Sequence, residues 1–278
     1  MTPSPAIPVS APPGVRDRLR AAPDGSLRVV HPGRHAVYLD LDGWCLGVVG
    51  SRAAAVPCAL RVAAPDLGPL ATMSAYVAGG VLHLGDTPLR VGRLVDARAP
   101  RLDLGATLRR LAGPVAGPVP GPVAGPVKAP APVVEFIDAA WGAGPLSPDA
   151  VARLVGRGDG LTPLGDDALC GWLALHRAVG EPTRAVDAAV RAVLPRTTLL
   201  SATLLDCALR GEVLPEFAAY LTALSTPEEP ARAAALAAIG HTSGAGLLHG
   251  AQRALAELAD RATDAPARPR PTPTRGAA

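Results

Sequence analysis

The sequence predicts an α+β protein, with a small antiparallel, barrel-like β domain followed by an all-helical domain. Three observations carry that prediction. Between Ser26 and Arg110 the chain is written in short β-branched runs: "LRVV", "HAVYLDLD", "WCLGVVG", "CALRVAA", "GGVLHLG" and "LRVGRLVDA", separated by Pro, Gly and Asp. From Gly113 to Pro132 a Gly-Pro-Val repeat, "GPVAGPVPGPVAGPVKAPAP", interrupts any regular element. After Val133 the apolar spacing turns helical. The expected divisions are a disordered N-terminus over 1–25, a β domain over 26–110, a linker over 111–133, a helical domain over 134–262 and a disordered tail over 263–278.

Within the β domain, Asp42-Gly43 stands between two apolar runs and is a hairpin-turn signal, because both residues tolerate the left-handed backbone such a turn needs. The linker follows from its own chemistry. Proline removes backbone donors and glycine removes stiffness, while the glycine recurs every fourth position and so does not fit collagen's period of three. In the helical part, Ser147-Pro148-Asp149 reads as a start: a capping serine, proline at the first turn and an acid at the positive helix end. Helices are expected at 134–141, 148–156, 166–179, 184–194, 198–210, 214–224, 230–239 and 245–262, punctuated by Gly211, Gly240, Pro182, Pro195 and Pro227.

Composition narrows the chemistry. Hydrophobic residues make up 49% of the 278 residues but aromatics only 3%, so the core is built from Ala, Leu and Val. The net charge is +3, and the positive excess sits at the two ends rather than as a stripe on the folded part, so nucleic acid is not an expected partner. Lys128 is the single lysine and lies in the linker, which excludes a P-loop lysine, a pyridoxal Schiff base and a lysine nucleophile in the folded domains. Asn is absent and Gln252 is the single side-chain amide. Cys45, Cys58, Cys170 and Cys207 are scattered, without a C-x-x-C pair, and read as buried free thiols of a reducing compartment. No apolar run is long enough to span a bilayer and the N-terminus lacks a signal peptide's apolar region, so a cytoplasmic protein without membrane association is expected.

Against this sparse background, polar chemistry concentrates at two helix mouths. "GRGDGLTPLGDDALCG", Gly156 to Gly171, opens a helix near Asp166. Gly158, Gly160 and Gly165 permit positive φ and close backbone approach, Thr162 adds a hydroxyl, and a helix N-terminus suits an anion. Asp166 and Asp167 could cap the helix, bind a divalent cation or move protons. "GHTSGAGLLHG", Gly240 to Gly250, echoes the first mouth: Gly165 matches Gly244, Leu169 matches Leu248 and Gly171 matches Gly250. There Thr242, Ser243 and Gly244 are candidate substrate contacts, and His241 is the candidate general acid or base. Thr197, Thr198 and Ser201 stand at a helix start, where they could be caps or ligands, while His176 and His249 have no evident partner in the sequence.

These segments resemble a known family, the one containing the AllH subunit of oxamate carbamoyltransferase. The first string matches a G-x-G-x-G-L-T-P-x-G-D-D-x-L-x-G pattern, Thr197 to Gly211 resembles a T-T-x-x-S block followed by Ala-x-x-Gly, and Gly240 to Gly250 resembles G-H-x-S-G-x-D-x-L-x-G. The third block departs, with Gly246 where the family has Asp, and Asp159 stands where the family more often has Pro or another neutral residue. The resemblance implies phosphorolysis of oxalurate to oxamate and carbamoyl phosphate, or its reverse, by a complex with FdrA-like and AllG-like subunits. In it, a small anionic substrate would be cradled by Gly158, Gly160, Thr162 and Gly165, with Thr198, Ser201, Thr242, Ser243 and Gly244 alongside. Asp166, Asp167 and His241 would be the catalytic groups, a divalent cation on the two aspartates being possible and no other cofactor implied. A non-catalytic small-anion-binding or assembly protein of the same family is the alternative.

Overall fold

The computed structural model describes residues 5–68, 70, 74–112 and 127–264. Eight strands close into a barrel: β1 (Ile7–Ala11), β2 (Gly25–Pro32), β3 (Ala36–Leu41), β4 (Trp44–Val49), β5 (Ala59–Arg61), β6 (Ala75–Ala78), β7 (Val81–Leu84) and β8 (Thr87–Leu94). Their order around the barrel is β1-β5-β4-β3-β2-β6-β7-β8. Closure leaves no unpaired edge to recruit another strand. The β3–β4 hairpin turns at Asp42 and Gly43, with φ of 53° and 75°, and Leu41 pairs with Trp44 across it.

Two expectations are corrected here. The barrel is not purely antiparallel, because β1 pairs β8 and β4 pairs β5 in parallel. Residues 7–21, expected to be disordered, form β1 and helix α1 (Pro13–Ala21). The Pro- and Ala-rich composition gives little local signal, but β1 inserts between β5 and β8, and α1 starts on proline and buries Val15 and Leu19. Long-range pairing supplies what local propensity lacks.

Further helices follow: α2 (Leu104–Ala112), α3 (Ala131–Trp141), α4 (Pro148–Leu154), α5 (Leu164–Val179), α6 (Arg184–Val193), a 3-10 turn at Leu194–Arg196, α7 (Leu199–Leu209), α8 (Pro215–Ala223), α9 (Glu229–Ala237) and α10 (Ser243–Asp264). Helix α2 begins inside the stretch assigned to the β domain. Asp103 starts it by accepting from the Ala106 N–H at 2.8 Å, a capping signal within the sequence. Ser147 caps α4 by accepting from Ala150 N–H at 3.2 Å. Most of the Gly-Pro-Val repeat, and the tail beyond Asp264, lie outside the described residues.

The helical layer docks on the barrel through β4. Every residue of that strand is buried, on both faces, and the Cys45 N–H donates to Thr203 Oγ1 of α7 at 2.9 Å. Backbone bonds from Ala99 N to Gly211 O (2.7 Å) and from Val213 N to Ala97 O (2.7 Å) tie the segment that follows β8 to the turn after α7. Burying a Leu or Phe side chain contributes about 1.5–3 kcal/mol each, and buried Leu60, Leu67, Phe217 and Tyr220 show how much of the fold rests on such terms. The four cysteines are buried and free. Among the described residues, no helix is long and apolar enough to cross a membrane.

Candidate functional site

Helices α5 and α10 pack on each other more extensively than any other pair of elements, and the motif glycines explain why. A Cβ on Gly171 would overlap the carbonyl oxygen of Leu247, and one on Gly250 would overlap that of Ala168. The relation is reciprocal: each glycine meets the carbonyl of the residue that stands, in the other mouth, three places before its own counterpart. Gly165 and Gly244 also match, each closing on the preceding helix, at the carbonyls of Leu154 and Leu236. Neither has a positive φ. Their place in the sequence therefore records backbone-to-backbone packing rather than an anion cradle, which corrects the roles expected of Gly165 and Gly244.

The loop before α5 does use glycine for its turns. Gly156 sits at φ 73° with a would-be Cβ 2.6 Å from Arg196 O, and Gly160 at φ 91° faces open space. Gly158, Asp159 and Gly160 are exposed. The donors that an anion would need are largely occupied inside the chain. Gly165 N–H donates to Arg157 O at 2.9 Å, and the N–H groups of Asp166 and Asp167 donate to Pro163 O at 2.9 and 3.1 Å. A helix mouth binds anions through unpaired N–H groups, and these three are paired.

Asp166 is fully buried and is the knot between the first two motifs. Its Oδ1 accepts from Gly156 N–H at 2.9 Å, while its Oδ2 accepts from Ser201 Oγ at 2.7 Å and from the hydroxyl of Thr197. Burial raises its pKa, and these three hydrogen bonds work in the opposite direction. Thr198 caps α7, accepting from Ser201 N–H at 3.1 Å, and its own hydroxyl donates to Leu161 O at 2.5 Å. The T-T-x-x-S spacing thus places two hydroxyls on one carboxylate and a third on the loop. Thr198 and Ser201 are anchors of the mouth rather than groups on the cavity wall.

Asp167 faces the other way. It lines a cavity of about 430 Å³ between barrel and helices, is 4% exposed, and its Oδ2 is buried without a hydrogen-bond partner. Desolvation pushes its pKa well above the usual carboxylate range, with the nearby Asp166 adding to the rise and the Ser243 and Thr162 hydroxyls opposing it. Thr162 Oγ1 and Ser243 Oγ are 2.8 Å apart, joining the two mouths at the cavity. Of the residues expected in the site, Thr162, Asp167 and Ser243 reach the cavity wall. His241 is exposed and, like Thr242, is not on that wall.

Sequence reasoning missed the rest of the lining, which includes His35, Tyr38 and Arg52 from the barrel and Leu200, Leu204 and Phe217 from the helices. These residues carry no signal separating a cavity wall from a core. Cys170 is also on the wall, and its burial pushes the thiol well above its ordinary pKa, so it is not a thiolate nucleophile at neutral pH.

Two further expectations change. His249 has partners: its Nε2 lies 2.8 Å from Asp138 Oδ1, which also pairs with Arg253 at 3.1 Å. His176 is buried against Trp172, with ring centroids 3.8 Å apart, and desolvation lowers its pKa to about 4. The acid pair is a poor divalent-cation site. Asp166 already accepts three hydrogen bonds, and among the described residues no group of three His, Cys, Asp or Glu side chains could hold a metal ion.

The departure at Gly246 is structural as well. A Cβ there would lie 2.9 Å from Asp167 Cβ and 2.8 Å from a methyl of Leu164. Helix α5 has closed onto the glycine, with Asp167 beside it where the two mouths meet. Asp159 does not replace the missing acid, being exposed and off the cavity wall. No curated protein and no solved structure matches the chain. The segment that carries all three motifs, residues 154–255, matches the family model described as oxamate carbamoyltransferase subunit AllH.

Proposed function

We propose that this chain is an AllH-type subunit of a carbamoyltransferase complex, and that its contribution to the reaction is the cavity closed by Asp167. The observation that supports this reading is a coincidence of place. The family match spans the three motifs, and those motifs meet at Asp166 and at the Thr162–Ser243 contact beside Asp167. In the reaction implied by the family, a phosphate oxygen attacks the carbamoyl carbon of oxalurate. The carbon–nitrogen bond to the oxamate half then breaks, and the departing nitrogen takes up the proton that phosphate gives up. A neutral Asp167 would hydrogen-bond the carbamoyl oxygen and relay that proton. Asp166 would act as a positioning residue, holding the loop through Thr197 and Ser201. His241, exposed outside the wall, has no proton-transfer role in this reading. The phosphate site would lie on FdrA-like or AllG-like partners, because among the described residues the cavity wall offers a single arginine, Arg52, and no lysine.

The test is oxalurate-dependent formation of carbamoyl phosphate by the complex reconstituted from this chain and those partners. Asp167→Asn keeps the volume and a donor but cannot give up a proton, and is expected to lower kcat about 10²- to 10⁴-fold with an unchanged circular dichroism spectrum. The apolar character of the wall favours a second reading, a non-catalytic binding subunit. Full turnover in the Asp167→Asn complex would select it.

A further inference from the structure

A second pocket lies on the outer face of the barrel, and strand register explains its chemistry. Val9 and Ala11 of β1 are buried, so Ser10 between them points outward. Ser10 pairs with Arg61 of β5 on one side and with Arg93 of β8 on the other. A β-bulge after Val9 steps over Gly92 and brings Arg93 opposite Ser10, a place that Gly92 would hold in unbroken register. Arg61, Ser10 and Arg93 therefore form one row across three adjacent strands. With the segment from Gly50 to Ala55 beside it, the row lines a pocket of about 490 Å³.

The row is cationic and carries no counter-charge of its own. Two arginines and two serines supply the polar side chains of the pocket, and among the described residues no acid lines it. Neither arginine forms an ion pair among the described residues. Arg61 is half-buried. Its Nη2 donates to Ala55 O at 3.0 Å, while its Nε is buried without a partner. A buried donor left unpaired costs free energy that a bound acceptor recovers. Desolvation lowers the pKa of Arg61, and Glu216, off the pocket wall, opposes that through space. Glu216 does not satisfy the arginine, and its own Oε2 is likewise buried without a partner. The guanidinium stays charged at neutral pH.

We propose that this pocket binds a phosphate monoester, its phosphate bridging Arg61 and Arg93 over Ser10 and its apolar body lying against Pro8, Val49 and Val62. The planar fork of arginine matches phosphate oxygens in pairs. A phosphate monoester presents three acceptor oxygens to two forks and the serine hydroxyls, where a carboxylate presents two. Among the described residues this pocket shares only Ala53 with the wall of the Asp167 cavity. The phosphate held here is therefore not the one that reacts, and the inference does not depend on the reading above.

The experiment titrates the full chain with phenyl phosphate, benzoate and benzyl alcohol by calorimetry, in phosphate-free buffer at neutral pH. Phenyl phosphate is expected to bind at least about tenfold tighter than either of the others, the worth of one charge-assisted hydrogen bond. Arg61→Met abolishes that binding, and Arg93→Glu weakens it at least about tenfold. Arg52→Met, on the wall of the other cavity, leaves it unchanged. No binding of phenyl phosphate, benzoate or benzyl alcohol binding as tightly, or undiminished binding in Arg93→Glu each overturn the proposal. Binding that survives Arg93→Glu but is lost in Arg52→Met would put the anion in the Asp167 cavity instead. Should Arg61→Met not fold, Arg93→Glu decides by itself, since that side chain is exposed. None of these probes needs turnover or the partner subunits, so the carbamoyltransferase reading and this inference can fail separately.

Discussion

The two helix mouths share their glycines and differ in their chemistry. At α5 the first turn carries Asp166 and Asp167, one tied to Gly156, Thr197 and Ser201, the other turned toward the cavity. At α10 the matched first turn carries Gly246 in the place of an acid, with His241 exposed before it. The glycines at matched positions meet carbonyl oxygens in both mouths. The shared part of the motif is thus about how close two backbones come, and the part that differs decides which mouth carries the acids.

That comparison can be broken first at the glycines. Gly171→Ala and Gly250→Ala each drive a Cβ into a carbonyl on a partner helix that cannot move alone, and each is expected to cost about 3 kcal/mol or more, as overpacking does at its upper end. Gly160→Ala, with open space around it and only its left-handed backbone to strain, is expected to cost about 1–2 kcal/mol. Urea unfolding followed by circular dichroism measures all three. Equal losses would show that the motif glycines serve turns rather than packing.

The next effect concerns pH. The folded pKa of Asp167 lies above its unfolded value, so the fold favours the neutral acid. That stabilisation is complete below the ordinary carboxylate pKa of about 4 and is lost as pH rises through the raised value. Asp167→Asn, which cannot ionise, is expected to flatten the fall of Tm with rising pH over that window. Parallel Tm curves for the two proteins would show that Asp167 is already charged in the fold. The smallest effect belongs to Asp159. Asp159→Ala is expected to change stability by no more than about 0.5 kcal/mol and to leave turnover of the complex intact. A marked loss of turnover would mean that Asp159 stands in for the acid missing at Gly246.

Much of this was legible in the chain because local signals are strong where they occur. The Asp42-Gly43 turn, the Ser147 cap and the eight helices of the C-terminal half all follow from residue type and spacing, and each corresponds to an element of the structure. Strand β1 and helix α1 were not legible, since a proline-rich run gains its structure only from the β5 and β8 strands it joins. Helix α2 did have a signal in Asp103, hidden behind the preceding β-rich texture.

The sequence by itself determined where polar chemistry is available: it placed hydroxyls and glycines at two helix mouths and the acids at the first of them. Only the tertiary structure decided what each group does. Asp166 and Asp167 are adjacent in the chain and identical in kind, yet successive helix positions point in different directions. One carboxylate therefore meets the hydroxyls of Thr197 and Ser201, and the other an apolar cavity. The glycines, likewise, can serve a turn or a close contact. Which of the two applies depends on whether another backbone arrives at that position, and that is settled by α5 packing on α10.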